Sequence, residues 1–305
     1  MDGEVRRFTK KEKIGWLCRL LLGLLFIVSG LLKFVSLEAF ETYIFSFDVV
    51  GLTLSSFFAR GLLFVEFAIG LFLVSTIWKR EVELLTFVTL LAFSVFLLFL
   101  WIKGDDGNCH CMGEVFEFSP QESLLKNILY FVLLYFARYS FTFEMPAKKW
   151  WIGGIVMVCL LVPFLKLPAG LRSLKPVGFN EVEFQKLLSE EENLRNVMTK
   201  EKSLVCIFSV KCRHCKTAMK KLEVLLKRNS STNVHWVVWG DESGLQEFLQ
   251  ETDVALRPHI FLTPDKLLPI TKNKIPLLLF FEKGEVIGKM SNSNFDDVKV
   301  EEFLK

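Results

Sequence analysis

Two close cysteine pairs carry the residue types for thiol chemistry in a chain with seven cysteines. In Cys212-Arg213-His214-Cys215 the first thiol falls where a short apolar run, Ser203–Val210, gives way to a helical stretch through Lys227. Helix-start N–H groups and the macrodipole favour a thiolate there, and the thiolate is the form that attacks disulfides. Cys212 is therefore the expected nucleophile. Cys215, one turn inside, is placed to resolve a mixed disulfide. Arg213 and His214 between them are expected to depress the Cys212 pKa further and to favour the dithiol, giving a more oxidising couple. The same spacing could be half a zinc site, but no second close Cys/His pair completes it: His235 and His259 are isolated and Cys206 lies inside an apolar run. No metal is expected.

The second pair is Cys109-His110-Cys111, with His110 as a supporting imidazole. Cysteines one residue apart can form a strained disulfide that exchanges easily, or can pair alternately with other thiols. Cys18 and Cys159 lie in long apolar runs, and all three remaining cysteines, Cys206 included, read as small buried hydrophobes.

The elements that must position these pairs differ sharply along the chain. The protein has 305 residues, 51% of them hydrophobic and 23% charged, with 31 Phe and a mean hydropathy of +0.38. Length alone suggests about two domains at roughly 150 residues each. The hydropathy divides near Lys175: Leu/Phe-rich runs before it, an ordinary soluble α/β pattern after it. A net charge of +3 without a basic, aromatic-spaced patch argues against a nucleic-acid partner. A wholly soluble protein is excluded, and the lipid bilayer is an expected partner.

A bilayer core of roughly 30 Å takes about 20 apolar helical residues. Five segments are expected to span it: Ile14–Phe34, Phe57–Trp78, Leu84–Ile102, Leu124–Tyr139 and Trp150–Leu167. The last is short, carries Pro163 and opens with paired Trp; its alternative is an interfacial helix. Basic residues concentrate in the N-terminal tail (Arg6, Arg7, Lys10, Lys11, Lys13), the second connection (Lys79, Arg80) and the fourth (Arg138, Lys148, Lys149). The positive-inside rule then places the N-terminus in the cytosol and the loops at 35–56 and 103–123 outside, with everything after Lys175. Both cysteine pairs share that outer, oxidising side. Ile14–Phe34 is too long for a signal peptide and no small-x-small site follows it, so it reads as an uncleaved anchor. Glu66 sits near the middle of the second span, where a carboxylate is either functional or a buried polar anchor; Arg19, Lys33 and Arg60 are its candidate partners.

The expected organisation is a cytoplasmic tail (1–13), a transmembrane helix bundle (14–167), a linker (168–180) and an outer α/β domain (181–305). In that domain Glu181–Lys200 is amphipathic, with Phe184, Leu187, Leu188, Leu194 and Val197 on its apolar positions. Ser203–Val210 and Val234–Trp239 read as strands and Gly244–Glu251 as a helix. Pro276–Phe281 and Glu285–Met290 form a hairpin around Lys283-Gly284, and Phe295–Lys305 closes as a helix. Strand, Cys-x-x-Cys, helix, strand, helix, hairpin and helix is the order of a thioredoxin fold. The Ile275-Pro276 bond then takes the cis-proline role facing the cysteines; its alternative is an ordinary proline at a strand start.

Two stretches carry a further resemblance. Arg19, Gly23, Phe26, Ser29, Gly30 and Lys33, with Glu66 and Gly70, resemble the first two spans of the DoxX/MauE family of small membrane proteins. Asn108-Cys109-His110-Cys111-Met112-Gly113-Glu114, with Lys126-Asn127, resembles the Cys-x-Cys-x-Gly-acidic loop and fourth-span start of the MauE branch. The resemblance covers about residues 14–140, with Met112 and Asn108 as mild departures. Residues 176–305 are similar to thioredoxin-like domains, with Lys211 where a tryptophan usually precedes the first cysteine. The resemblance implies a DoxX-like bundle in a bacterial inner membrane, fused to a periplasmic thioredoxin-like domain, acting in disulfide maturation of periplasmic proteins. The expected activity is a thiol–disulfide relay. Extracytoplasmic protein thiols reduce Cys212–Cys215, electrons pass to Cys109/Cys111 and then to a membrane acceptor such as a quinone, although no motif marks a quinone site. Outward reduction would need a cysteine pair reachable from the cytosol, and Cys18 alone does not supply one. A non-catalytic maturation factor that docks a partner protein is the other alternative.

Overall fold

The structure is a computed structural model and describes residues 9–104, 109, 111–114, 118–141, 148–168, 177–192, 195, 202–228 and 233–305. Arg6, Arg7, His110, Leu194, Val197 and most of the linker lie outside the described residues. The chain divides into two compact units. The first comprises Met1–Phe40 with Phe57–Lys166, and the second Glu41–Ser56 with Leu167–Lys305.

The first unit is helical: α1 (Lys10–Val35), α3 (Leu52–Ser75), α4 (Lys79–Ile102), α5 (Pro120–Ala137) and α6 (Lys148–Phe164), with the four-residue β1 (Cys111–Glu114) between α4 and α5. The starts of α1 and α5 are written locally. Thr9 and Glu12 form a capping box, as do Ser119 and Glu122, and Pro120 occupies the first turn of α5 where its missing N–H costs nothing. The helices α1, α3 and α4 are long and apolar enough to cross a membrane, and α6 is a shorter apolar helix. Along α1, Leu17, Leu21, Leu24, Val28 and Leu31 are exposed, an apolar stripe of the kind that faces lipid. Close helix approach uses small residues: a Cβ on Gly23 would meet the Gly70 carbonyl at 2.9 Å, so α1 and α3 cross backbone to backbone. Beyond that, α5 packs against both α1 and α4, and β1 against α1.

The connection at 35–56 is not a plain loop. It contains α2 (Leu37–Ser46), and α3 begins at Leu52, five residues before the expected start. The apolar count missed this because only two of the five residues Leu52-Thr-Leu-Ser-Ser are apolar; core packing of Leu52 and the Ser55 hydroxyl, which donates to Gly51 O at 3.1 Å, hold the first turn.

The second unit is built on a five-stranded mixed sheet, in the order β4-β3-β2-β5-β6. Its strands are β2 (Lys202–Ser209), β3 (Asn233–Trp239), β4 (His259–Phe261), β5 (Leu277–Glu282) and β6 (Glu285–Met290). β2 runs parallel to β3 and β3 to β4, while β5 is antiparallel to both β2 and β6. The helices are α7 (Glu181–Glu190), α8 (Arg213–Arg228), α9 (Glu242–Thr252), α10 (Pro264–Thr271) and α11 (Asp297–Leu304). Alternate residues of a strand face opposite sides, so the apolar runs feed two cores. Leu204, Cys206, Phe208, Trp236 and Phe280 pack with Met219, Leu222, Phe248 and Phe303 of α8, α9 and α11. Val205, Ile207, Val237, Leu279 and Phe281 pack with Phe184, Leu187, Leu267 and Ile270 of α7 and α10. This is the thioredoxin-like α/β arrangement. The short β4 and the Pro-interrupted α10 were not expected from the sequence. The three residues of β4, within the five between Pro258 and Pro264, are too few for a strand signal, and Pro269 reads as a helix breaker.

Residues 41–56 belong to this unit. Phe45 and Leu52 join the core beneath α8, Leu52 N donates to Asp297 Oδ2 at 2.8 Å, and Asp48 pairs with Arg228.

Candidate functional site

Strand β2 ends at Ser209, the chain turns through Val210-Lys211, and Cys212 immediately precedes α8. The turn is held by Cys212 N donating to Ser209 O (3.2 Å) and Val210 N to Trp239 O (3.2 Å). Cys215 N and Lys216 N both donate to Cys212 O, at 3.0 and 3.1 Å, and Cys215 N also approaches Cys212 Sγ at 3.4 Å. Cys212 is half-buried, and Cys215 is fully buried under it. Both are thiols here. A hydrogen bond from the Cys215 thiol, first, holds the Cys212 pKa down to about 6 against the opposing effect of partial burial; the backbone N–H groups of Cys215 and His214 and the charge of His214 add to it. Burial, and then that same hydrogen bond, drives the Cys215 thiol far above its ordinary range. One sulfur is thus favoured as an anion near neutral pH and the other as a protonated partner, the asymmetry that an attacking and a resolving thiol need.

Arg213 and His214 are exposed beside the pair. His214 Nδ1 lies 3.5 Å from Asn292 Nδ2, and Asn292 Oδ1 accepts from the buried Lys221 ammonium at 3.0 Å. Asn292 follows β6 in a short 3-10 turn; nothing in its own sequence context marks it, because only the sheet order brings β6 toward α8. The Ile275-Pro276 peptide is cis, at the start of β5, which pairs with β2. Cys206 is buried in β2 with its pKa pushed up by burial, so it stays a protonated thiol.

Cys109 and Cys111 form a disulfide, with Cα atoms 5.4 Å apart. The two residues are 2% and 1% exposed, packed with Leu97 and against Phe93, Phe118 and Leu124. Cys109 N donates to Phe118 O (3.0 Å), and Cys109 Sγ lies 3.0 Å from the Ser123 hydroxyl, a residue of α5 that sequence reasoning missed. Gly113 has φ +71°, and a Cβ there would meet Ser36 Oγ at 2.6 Å and Leu32 O at 2.8 Å. Only glycine lets β1 lie this close to the end of α1.

Glu66 is paired with Lys33, one of its three candidate partners. The other two are engaged elsewhere. Arg19 lies 14 positions before Lys33, about 21 Å along α1, and donates to Glu83 Oε1 (3.0 Å) and the Leu73 carbonyl (2.9 Å). Arg60 donates to the Lys166 carbonyl at 2.6 Å. Glu83 was not singled out from sequence. Its signal was depth: Arg19 and Glu83 both lie near the basic-flanked ends of their helices.

The family model for methylamine utilisation protein MauE matches residues 11–140. That stretch includes Glu66, the Cys-x-Cys loop and the start of α5. Protein TlpB of Flavobacterium psychrophilum is 25% identical over 172 residues, covering 52% of this chain and 46% of that protein. The chain thus spans about half the length of the curated relative it matches. Among solved structures, a secreted Mycobacterium tuberculosis disulfide oxidoreductase aligns with a TM-score of 0.31 at 9% identity, over 36% of this chain and 84% of that one. The structure of MTB dsbF in its mixed oxidised and reduced forms aligns with a TM-score of 0.31 at 12% identity, over 36% of this chain and 82% of that one. Residues 11–140 are thus similar to MauE, and the disulfide-bonded Cys109 and Cys111 fall within that stretch.

Proposed function

We propose that the protein is a membrane-bound thiol–disulfide oxidoreductase that oxidises extracytoplasmic protein thiols. The observation that carries this reading is the asymmetric pair at the start of α8: a Cys212 sulfur anionic near neutral pH over a buried, protonated Cys215. In the oxidised domain a substrate thiolate attacks Cys212 and leaves as a disulfide, and Cys212 and Cys215 take up two electrons. Cys212 then attacks the Cys109–Cys111 disulfide, Cys215 resolves the mixed species, and the loop pair becomes the dithiol. A lipophilic two-electron acceptor, such as a quinone, reoxidises the loop. The N-terminus lies in the cytosol, and the loop pair and the thioredoxin-like domain lie in the periplasm of a bacterium whose inner membrane holds five spans.

Redox states trapped by acid and alkylation in cells test the order of transfer. Cys109→Ser/Cys111→Ser is expected to leave Cys212–Cys215 predominantly reduced. An unchanged oxidised fraction would mean that the domain is oxidised by something else.

A further inference from the structure

Cys109 and Cys111 are buried alike, so exposure does not choose which sulfur of their disulfide an incoming thiol meets. Their polar surroundings differ. The hydroxyl of Ser123, a fully buried residue of α5, lies 3.0 Å from Cys109 Sγ. A disulfide sulfur carries no proton, so the hydroxyl is the donor. Among the described residues no other side chain donates to either loop sulfur. Cys109 is also held beside the start of α5 by its own N–H, which donates to Phe118 O at 3.0 Å.

Other helical hydroxyls of this chain turn elsewhere. Thr86, Ser94 and Thr252 donate to the carbonyl four residues earlier, at 2.7, 2.7 and 2.6 Å. A carbonyl is a stronger acceptor than a neutral sulfur. The Ser123 hydroxyl nevertheless points at Cys109, and that contact strengthens when the sulfur is charged, because a hydrogen bond to an ion is about twice as strong as one between neutral groups. Cys111 has the opposite setting. Its Sγ lies 3.8 Å from the Cys109 carbonyl oxygen, which accepts a thiol proton and opposes an anion.

We infer that Ser123 is a catalytic residue of the loop pair: its hydroxyl stabilises the Cys109 thiolate, so that Cys111 is the sulfur attacked and Cys109 the sulfur that leaves. The inference rests on the relay reading above for the identity of the attacker, Cys212. The Cys212 thiolate bonds to Cys111 Sγ, the Cys109–Cys111 bond breaks, and its electron pair goes to Cys109, where the Ser123 hydroxyl donates to the new anion. The better-stabilised thiolate leaves faster. Cys215 then gives up its proton and closes on Cys212, and Cys111 departs with a proton as the thiol. Two electrons have moved to the loop, while the proton and the negative charge are conserved. The reduced loop is a thiolate at Cys109 beside a thiol at Cys111.

The test uses the full-length protein in detergent, reduced and freed of reductant. A brief pulse of iodoacetamide is quenched, the protein is unfolded, and N-ethylmaleimide caps the remaining thiols. Tandem mass spectrometry of the peptide that holds both loop cysteines then reads which sulfur reacted first. Wild type is expected to carry the pulse label at Cys109 about tenfold more often than at Cys111, and Ser123→Ala to bring that ratio close to one. Ser123→Thr, which keeps the hydroxyl, is expected to retain the preference. A loop that is merely loosened raises both labels and leaves the ratio unchanged. Equal labelling or a preference for Cys111 in wild type, or an unchanged ratio in folded Ser123→Ala, would overturn the assignment; thermal melting identifies a variant that fails to fold, and the wild-type ratio then decides. In oxidised Cys215→Ser protein quenched with acid, the Cys212 bond is expected on Cys111, and a bond on Cys109 would overturn the leaving-group order. The absence of any Cys212 bond to the loop, with the pulse ratio intact, defeats the relay and leaves the role of Ser123 standing.

Discussion

At the scale of single residues, the anionic Cys212 has the most direct consequence. Its pKa of about 6 lies below the ordinary thiol value of 9.0, so alkylation by iodoacetamide is expected to follow a curve with its midpoint near pH 6, while Cys215 stays unreactive. The linkage has a definite sign. A group whose folded pKa is depressed stabilises the fold fully above its unfolded value and loses that contribution as pH falls through the folded value. The reduced domain should therefore gain nothing from Cys212 below about pH 6 and melt at a progressively higher temperature toward pH 9, relative to Cys212→Ser. A midpoint near 9 would remove the nucleophile assignment. Glu66 makes a second test. With Lys33 as its partner it closes a polar chain that runs through Ser29 to the Cys111 carbonyl, so Glu66→Gln should slow loop reoxidation by roughly 10²-fold if the chain transfers protons. Normal rates in a folded variant would leave Glu66 as a structural anchor. The sequence revealed residues whose role depends on local context, such as Cys212 before a helix or a carboxylate in an apolar run. It concealed Ser123, Asn292 and Glu83, because each meets its partner only through packing between elements distant in sequence.

At the scale of elements, β1 is fixed by one backbone requirement. Gly113 adopts a positive φ directly against the last turn of α1, where a Cβ would meet both Ser36 Oγ and the Leu32 carbonyl. Gly113→Ala is expected to destabilise the membrane unit by about 1–3 kcal/mol, the usual range for a non-glycine residue held in that region plus a clash. Faster alkylation of reduced Cys109 and Cys111 in the variant would report the loosened loop, and wild-type melting together with wild-type alkylation would show that β1 does not depend on this contact. The strands β2, β3, β5 and β6 were legible because each is a compact apolar or alternating run bounded by turn residues; Lys283-Gly284, both at positive φ, form the hairpin turn. The loop expected at 35–56 turned out to hold α2 because Leu37-Glu-Ala-Phe-Glu is a good helix segment too short to register as a span. Its continuation, residues 41–56, packs on the thioredoxin-like core through Phe45 and Leu52, and no local pattern announces a partner more than 150 residues away.

At the scale of the whole molecule, that packing bears on topology without reference to charge. Residues 41–56 follow α1, and if α1 and α3 both cross the bilayer this segment lies opposite the N-terminal tail. It shares a core with β2, α8 and α11, so the thioredoxin-like domain must lie on the same side. An odd number of spans satisfies this, whether α5 and α6 both cross or neither does, and the positive-inside rule is the ground for the proposed cytosolic N-terminus. A membrane-impermeant maleimide is expected to label reduced Cys212 in intact spheroplasts; labelling only after permeabilisation would reverse the topology and end the relay. Once both cysteine pairs share a compartment, tethering on one chain gives them a mutual effective concentration of about millimolar order, so no separate carrier is needed. The burial of Cys109 and Cys111 means that exchange requires the loop to open locally, which makes the intramolecular intermediate slow to form and, without a resolving thiol, slow to decay. Replacing Cys215 and Cys111 by serine leaves Cys212 and Cys109 as the only reacting pair, and mild oxidation is expected to join them in a bond that peptide mapping can locate. Adducts that are only intermolecular, in this variant and in its Cys109→Ser counterpart, would show that the two pairs serve different partners rather than each other.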